Sequence, residues 1–461
     1  MTVSFSRRDF LKQVPLAAVS AQTAKGRKPN FVVIVTDDQG IGDMGCYGHA
    51  EVRTPHLDRL AESGVRFTQW YANAPICSAS RAALLTGKYP DRTGVKGALP
   101  SEPDWSVPGL RAGERTLPGL LRDREYRTAA FGKWHLGSAP PSRPLAQGFD
   151  EFFGWYSGWL DAYSHRYYQL GGPPGKIFHD LWHNGTEVFE EPAYMTELLG
   201  QKAQAFLGHQ SAARPFFMYL AFGAPHYSMM APQRYLTRFP PNMDRDRRMH
   251  LAMVAAVDDV VGAVLDQLKQ QGLEKDTVIW FQSDNGATRE ARASSDGKPY
   301  RGGSNAPYRG WKQGLFDGGI HVPALLRVPG ITKPGTVWDR PMISMDLLPT
   351  FLALSGESAV PGVDGRNILP VLQGEVTTPT RDLFWSFEKS RAVRVGDWKL
   401  ILRPPSYPGD ELTDEVWLSN LEADPGEQRN LAGTEVERVR TMTEKIRGWE
   451  REVRLVPQPN P

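Results

Sequence analysis

Four short apolar runs constrain this chain most: "NFVVIVT" at 30–36, "RTAAFG" at 127–132, "PFFMYLAFG" at 215–223 and "DTVIWFQS" at 276–283. They are rich in β-branched and aromatic residues and lack the polar alternation of a strand with one wet face. Helical-looking stretches at 55–64, 194–208 and 247–271 separate them. Strands apolar on both faces need a covering layer on each side, and strands joined through helices run parallel. The pattern predicts an α/β core, a mostly parallel sheet between helical layers.

Past "SMDLLPTFLALSG" (344–356) the periodicity changes. Residues 383–405 and 415–421 read as short antiparallel strands with turns at Glu388-Lys389 and Gly396-Asp397, and 433–453 reads as an amphipathic helix. A main domain over 28–360 and a smaller C-terminal subdomain over 361–461 are expected, and 461 residues suffice for both.

Ligands of open α/β sheets gather where the strands end. Here the runs end in Asp37-Asp38, Lys133-Trp134-His135, Pro225-His226 and Asp284-Asn285. Singly, each pair reads equally well as a turn or cap. Together, three carboxylates and an amide form an oxygen-donor set suited to Ca²⁺ or Mg²⁺ rather than Zn²⁺. Lys133, Lys312 and Arg81 could face an anionic substrate, leaving His135 and His226 for proton transfer.

Composition narrows the partners. Lys and Arg number 54 against 52 Asp and Glu, a net charge of +2, which argues against a nucleic-acid binder. No segment approaches 18 uninterrupted apolar residues, so no membrane span is expected. Two cysteines, Cys46 and Cys77, make no disulfide framework, and Cys46 reads as a small core residue. The N-terminus, "SFSRRDFLKQVPLAAVSAQTAKG", reads as a twin-arginine export signal over 1–24 with Ala21 or Ala24 at the cleavage site. It predicts a periplasmic or extracellular protein, exported folded with any modification or cofactor already in place.

One string, "CSASRAALLTGKYPDRTG" from Cys77, resembles the signature of the type I sulfatases of the alkaline phosphatase superfamily. "PNFVVIVTDDQGIGDMGCYG", "FGKWHLG", "APHY", "SDNG", "RGGSNAPYRGWKQGLFDGGIHVP" and "NLEADPGEQRNLA" stand around it in that family's order, over roughly residues 28–431. The resemblance implies an alkaline-phosphatase-like sandwich with a small four-stranded C-terminal sheet. It implies that Cys77 is oxidised to formylglycine by a maturation enzyme, and that its hydrate is the nucleophile. That hydrate would also be a metal ligand beside Asp37, Asp38, Asp284 and Asn285, around Ca²⁺ or Mg²⁺. Arg81, Lys133 and His135 would hold the hydrate, Lys133, His226 and Lys312 the sulfate, and His226 with Lys312 the leaving oxygen. Two positions depart from the pattern: Ala79 stands where many members have Pro, and it is the Ala form that the family links to a radical maturation system; His321 stands where Arg is commoner.

The expected activity is removal of sulfate from a sulfated carbohydrate, with patterns that resemble the N-acetylgalactosamine-6-sulfatase branch. Trp155, Trp159, Tyr163, His165, Arg166, His179 and Trp182 read as material for stacking on sugars, with Arg301 and His321 as further substrate contacts. The same metal site and formylglycine also fit a phosphomonoester or phosphonate hydrolase. An unmodified Cys77 would leave a non-catalytic binder of sulfated glycan.

Overall fold

A computed structural model describes residues 27–49, 51–169, 176–357, 360–374, 381–407 and 410–454. The arginine pair at 7–8 and the export signal lie outside them. Ten strands form the main sheet among the described residues. Their spatial order is Thr336–Trp338, Val65–Phe67, Ala324–Arg327, Thr277–Ser283, Asn30–Thr36, Phe216–Ala221, Arg127–Lys133, Glu151–Trp155, Trp182–His183 and Thr186–Glu187. The five central strands, from Thr277–Ser283 to Glu151–Trp155, are parallel. Antiparallel pairings at both flanks make the whole sheet mixed.

The apolar runs behave as continuous burial requires. In Asn30–Thr36, Phe31, Val33 and Val35 face one helical layer, while Val32 and Ile34 face the other. The first layer includes the Cys77–Thr86 and Leu347–Leu354 helices, and the second includes Pro55–Glu62, Met195–Gly208 and Arg245–Gln270. Alternate side chains thus feed two cores, which fixes strand register, because a one-residue slip would exchange the two sets.

That register levels the carboxyl ends of the strands. Thr36 lies opposite Ser283, Val35 opposite Ala221, Ala221 opposite Gly132, and Lys133 opposite Trp155. The residues just beyond them therefore emerge at one height on one edge of the sheet.

A second, four-stranded antiparallel sheet runs Leu383–Phe387, Ser390–Val395, Trp398–Leu402 and Val416–Asn420. Its first two hairpins turn at Glu388-Lys389 and Gly396-Asp397, with Glu388 and Gly396 at φ of 48° and 58°. The Val436–Arg454 helix sets Met442 and Ile446 against Val393, Leu400 and Leu418 on one face. On the other face Trp385, Ile401 and Trp417 pack with Tyr71, Phe316 and Ile320 of the main body. Lys399 is buried in that contact, 2.5 Å from Asp317 and 3.2 Å from Glu427.

Candidate active site

Asp37 and Asp38 follow the Asn30–Thr36 strand, Asp284 and Asn285 follow Thr277–Ser283, and all four are buried. Asp38 sits at φ 61° and His135 at φ 52°, left-handed conformations that cost of order 1 kcal/mol or more and recur where a backbone must re-aim a functional side chain. Asn285 Nδ2 donates to Asp38 Oδ1 at 2.7 Å, and the Asp38 amide donates to Asp284 Oδ1 at 3.3 Å. The turn after Thr277–Ser283 is locked to the segment carrying Lys312: Lys312 N donates to Ala287 O and Gly286 N to Gly319 O, each at 3.0 Å. Gly286 permits this approach, since a Cβ there would lie 1.8 Å from Gly318 O.

Cys77 is the first residue of the Cys77–Thr86 helix and 2% exposed. Arg81 stands one turn later on the same helical face. Its Nε and one terminal nitrogen reach Asp284 Oδ2 at 2.8 and 2.7 Å, and Asp37 lies 3.9 Å away. Lys133 Nζ pairs with Asp37, and Lys312 Nζ lies 2.9 Å from Asp38 Oδ2. His226 Nε2 is 3.7 Å from Asp38 Oδ2, with its Nδ1 2.7 Å from Tyr227 O. His135 Nε2 is 3.0 Å from Leu99 O, and Leu99 N donates to Ser78 Oγ at 3.1 Å, tying that histidine to the first turn of the Cys77 helix.

Three carboxylates and three cationic side chains thus meet out of water. Burial opposes ionisation of Asp37, but the permanent charges around it, Lys133 first, with Arg81 and Lys312, outweigh it and hold the carboxyl well below its ordinary range. Asp38 moves the other way: burial, opposed by Lys312 and reinforced by Asp37 and Asp284, pushes it up to about 7. Burial, with Asp37 beside it, also raises Asp284. His135 and His226 are driven well below the usual histidine range by burial, then by Lys133 and Lys312 respectively, so both are neutral imidazoles. Burial, then Asp37, pushes the Cys77 thiol up to about 12, which leaves an unmodified cysteine here a neutral, weak nucleophile.

The donor set fits a hard divalent cation. Single ligand atoms of Asp37, Asp38, Cys77 and His226 lie within 4.8 Å of one another, and Asp37 Oδ1 and Asn285 Oδ1 are buried without a hydrogen-bond partner. A cation taking up those oxygens would relieve the crowding that raises Asp38 and Asp284.

The sequence-predicted substrate contacts scatter. Trp159 reaches the site, stacked 6.3 Å from His226 and edge-on to Tyr227 at 5.3 Å. Trp155 is buried beneath Gly223, where a Cβ would come within 2.8 Å of its ring. Tyr163 packs on Tyr194, and Trp182 donates to Asp180 Oδ1 at 2.7 Å beside Trp105. Arg301 is 48% exposed and pairs with Asp296 at 3.2 Å. His321 is buried between Tyr71 and Tyr308, its Nε2 2.7 Å from Thr68 O and its Nδ1 3.2 Å from Asp317 Oδ2. Arg166 is exposed and pairs across strands with His179, which with His165 belongs to a separate cluster. Cys46 is half-buried against the core. Sequence reasoning missed Glu290 and Arg292. The Arg292 guanidinium lies over the rings of Tyr227 and Trp159, 5.0 and 5.4 Å from their centroids, and pairs with Glu290, which is 3.4 Å from Lys312 Nζ. Their signal was adjacency, since "ATREARA" (287–293) begins one residue, Gly286, past the Asp284-Asn285 strand end.

Comparison with known proteins decides the family: its model, Sulfatase, matches residues 29–357. The chain belongs to the sulfatase family. This sulfatase is 30% identical to arylsulfatase J of Mus musculus, over 89% of its own length and 74% of that protein. It is 35% identical to N-acetylgalactosamine-6-sulfatase of Canis lupus familiaris, over 80% of its length and 71% of the relative. The solved structure of Ps i-CgsB in complex with k-i-k-neocarrahexaose superposes with a TM-score of 0.80 at 30% identity, covering 92% of this chain and 93% of the other. The alkaline-phosphatase-like α/β fold read from the sequence is thereby established, and the protein is a sulfuric ester hydrolase. No helix among the described residues of the sulfatase is long and apolar enough to cross a membrane.

Proposed function

We propose that this sulfatase removes sulfate from a sulfated carbohydrate, with residue 77 as the nucleophile after oxidation to formylglycine. The observation that carries this reading is the position of Cys77: sealed at a helix start, within 4.8 Å of ligand atoms from Asp37, Asp38 and His226. A neutral thiol there is poorly suited to attack, whereas the hydrate of an aldehyde would supply a hydroxyl oxygen. Peptide mass across residue 77 tests it, since conversion replaces one sulfur and two hydrogens by one oxygen. An unchanged cysteine in active enzyme would overturn it.

Asp37, Asp38, Asp284 and Asn285 would hold Ca²⁺ or Mg²⁺, whose charge would draw the anionic sulfate group to the nucleophile. Arg81 and Lys133 would orient residue 77 and balance its charge, and neutral His135 would accept a proton from it. Lys312 and His226 would face the sulfate and the departing oxygen. The sugar preference is supported by relatives, one named for a 6-sulfated amino sugar and one solved with a hexaose. Trp159 and Arg292 at the mouth would receive the sugar. Residues 1–24 carry the proposal of twin-arginine export, Ala79 that of a radical maturation enzyme, and 28–360 and 361–461 remain the proposed domain division.

Two outcomes are expected. Dialysis against a chelator should abolish turnover and lower the melting temperature, and Ca²⁺ should restore both, because an ion that binds only the folded site stabilises it by mass action. Lys312→Ala should lower kcat/KM by roughly 10²–10³-fold, the usual cost of one aimed charge in an anion-binding site. Initial rates on a chromogenic aryl sulfate read both.

A further inference from the structure

A second side-chain cluster lies in the excursion between the Glu151–Trp155 strand and the Met195–Gly208 helix. Ligand atoms of His165, His179 and Glu191 lie within 4.8 Å of one another. His165 and His179 are buried, and Glu191 opens to solvent. Each histidine has one ring nitrogen engaged and one left over. His165 Nε2 is 2.9 Å from Ala193 O, and His179 Nδ1 is 2.8 Å from Glu187 Oε1. A carbonyl and a carboxylate only accept hydrogen bonds, so those two nitrogens are the donors. His165 Nδ1 and His179 Nε2 are both buried without a hydrogen-bond partner and are the atoms open to an ion.

We propose that His165, His179 and Glu191 form a binding site for a divalent transition ion of the Zn²⁺ class, separate from the strand-end site. Two imidazole nitrogens and one carboxylate suit Zn²⁺, with water at the open fourth position. His179 Nε2 and Glu191 Oε1 are 3.5 Å apart, close to the edge of about 3.4 Å of a tetrahedron with ligands near 2.1 Å. Glu187 behind His179 and the Ala193 carbonyl behind His165 fix ring orientation and tautomer, as the partners of metal-bound histidines do. Phe189 stacks on the His179 ring at 4.4 Å and screens that side.

The ion would clamp one end of a hairpin. His179 lies opposite Arg166 in the pairing of Arg166–Tyr168 with Ile177–His179, and Tyr168 O at its other end accepts from Trp159 Nε1 at 2.8 Å. The site would thus hold the element that carries Trp159 beside His226.

Co²⁺ is the probe, added to the full-length protein after chelation. Tetrahedral Co²⁺ absorbs far more strongly in the visible than a six-coordinate ion on oxygen ligands. The wild type and Cys77→Ala should both show the band at about one ion per chain, with Zn²⁺ displacing it. His179→Ala should lose it. Glu191→Gln, a partly exposed change that leaves the fold intact, should weaken Co²⁺ binding at least tenfold, and Glu187→Gln by roughly 10–100-fold. No band in the wild type, or a band of equal strength and affinity in both His179→Ala and Glu191→Gln, overturns the site. Neither result depends on what happens at residue 77.

Discussion

Cys77→Ala is expected to remove sulfate release by roughly 10⁴-fold or more, because loss of a nucleophile takes out the whole covalent step rather than one supporting contact. The fold should survive. Alanine is the best helix former and takes the first helical position without strain. The deleted sulfur leaves a small gap worth about 1 kcal/mol. Initial rates on an aryl sulfate, read beside a thermal melt, separate the two effects. Turnover within about tenfold of the wild type would remove residue 77 from the chemistry. A large loss with an unchanged melt is the expected pair of results.

The largest effect on stability should come from Lys399→Met. Lys399 is fully buried between Asp317 at 2.5 Å and Glu427 at 3.2 Å, and Glu427 also accepts from the Asp317 amide at 2.6 Å. Removing the cation strands two carboxylates in the contact between the sheets, at a cost of about 3–5 kcal/mol. The cost should depend on pH. Burial, opposed by Lys399 and reinforced by Asp317, raises Glu427 from 4.5 to about 7. Glu427 therefore holds its proton more tightly folded than unfolded, and stability falls as pH rises from 4.5 towards 7. Without Lys399 that penalty grows and extends to higher pH, so the deficit of the variant should be greater at the alkaline end of a denaturation series. Adding Glu427→Gln should recover part of it. Equal melts for variant and wild type across the series would show that the triad contributes nothing to joining the sheets.

Much of the centre was legible because it is local. The Asn30–Thr36 run is a strand whose next two residues are Asp37 and Asp38, and no tertiary information is needed to see that they leave its end together. The spacing from Cys77 to Arg81 likewise needs only a helix. The flanking strands Val65–Phe67, Ala324–Arg327 and Thr336–Trp338 were not read, being three or four residues long and strands only through their neighbours. The aromatic excursion was harder still. Composition cannot tell Trp159, which reaches His226, from Tyr163, which packs on Tyr194; both are aromatic residues in a loop. Lys399, Asp317 and Glu427 lie in three distant segments, each an ordinary charged residue in isolation.

The burial of Cys77 has a bearing on timing. With 2% of its surface exposed, beneath its own helix and the strand ends, the thiol is out of reach of any other protein once the sheet has closed. A maturation enzyme would have to meet residues 77–81 as an extended peptide, before Lys133, Asp284 and Lys312 arrive around them. Folding and modification would then run as a race within each newly made chain, and a molecule that folded first would keep its cysteine for life. The fraction of active enzyme in a preparation would record how that race was decided during synthesis, and no later treatment of the folded protein would change it.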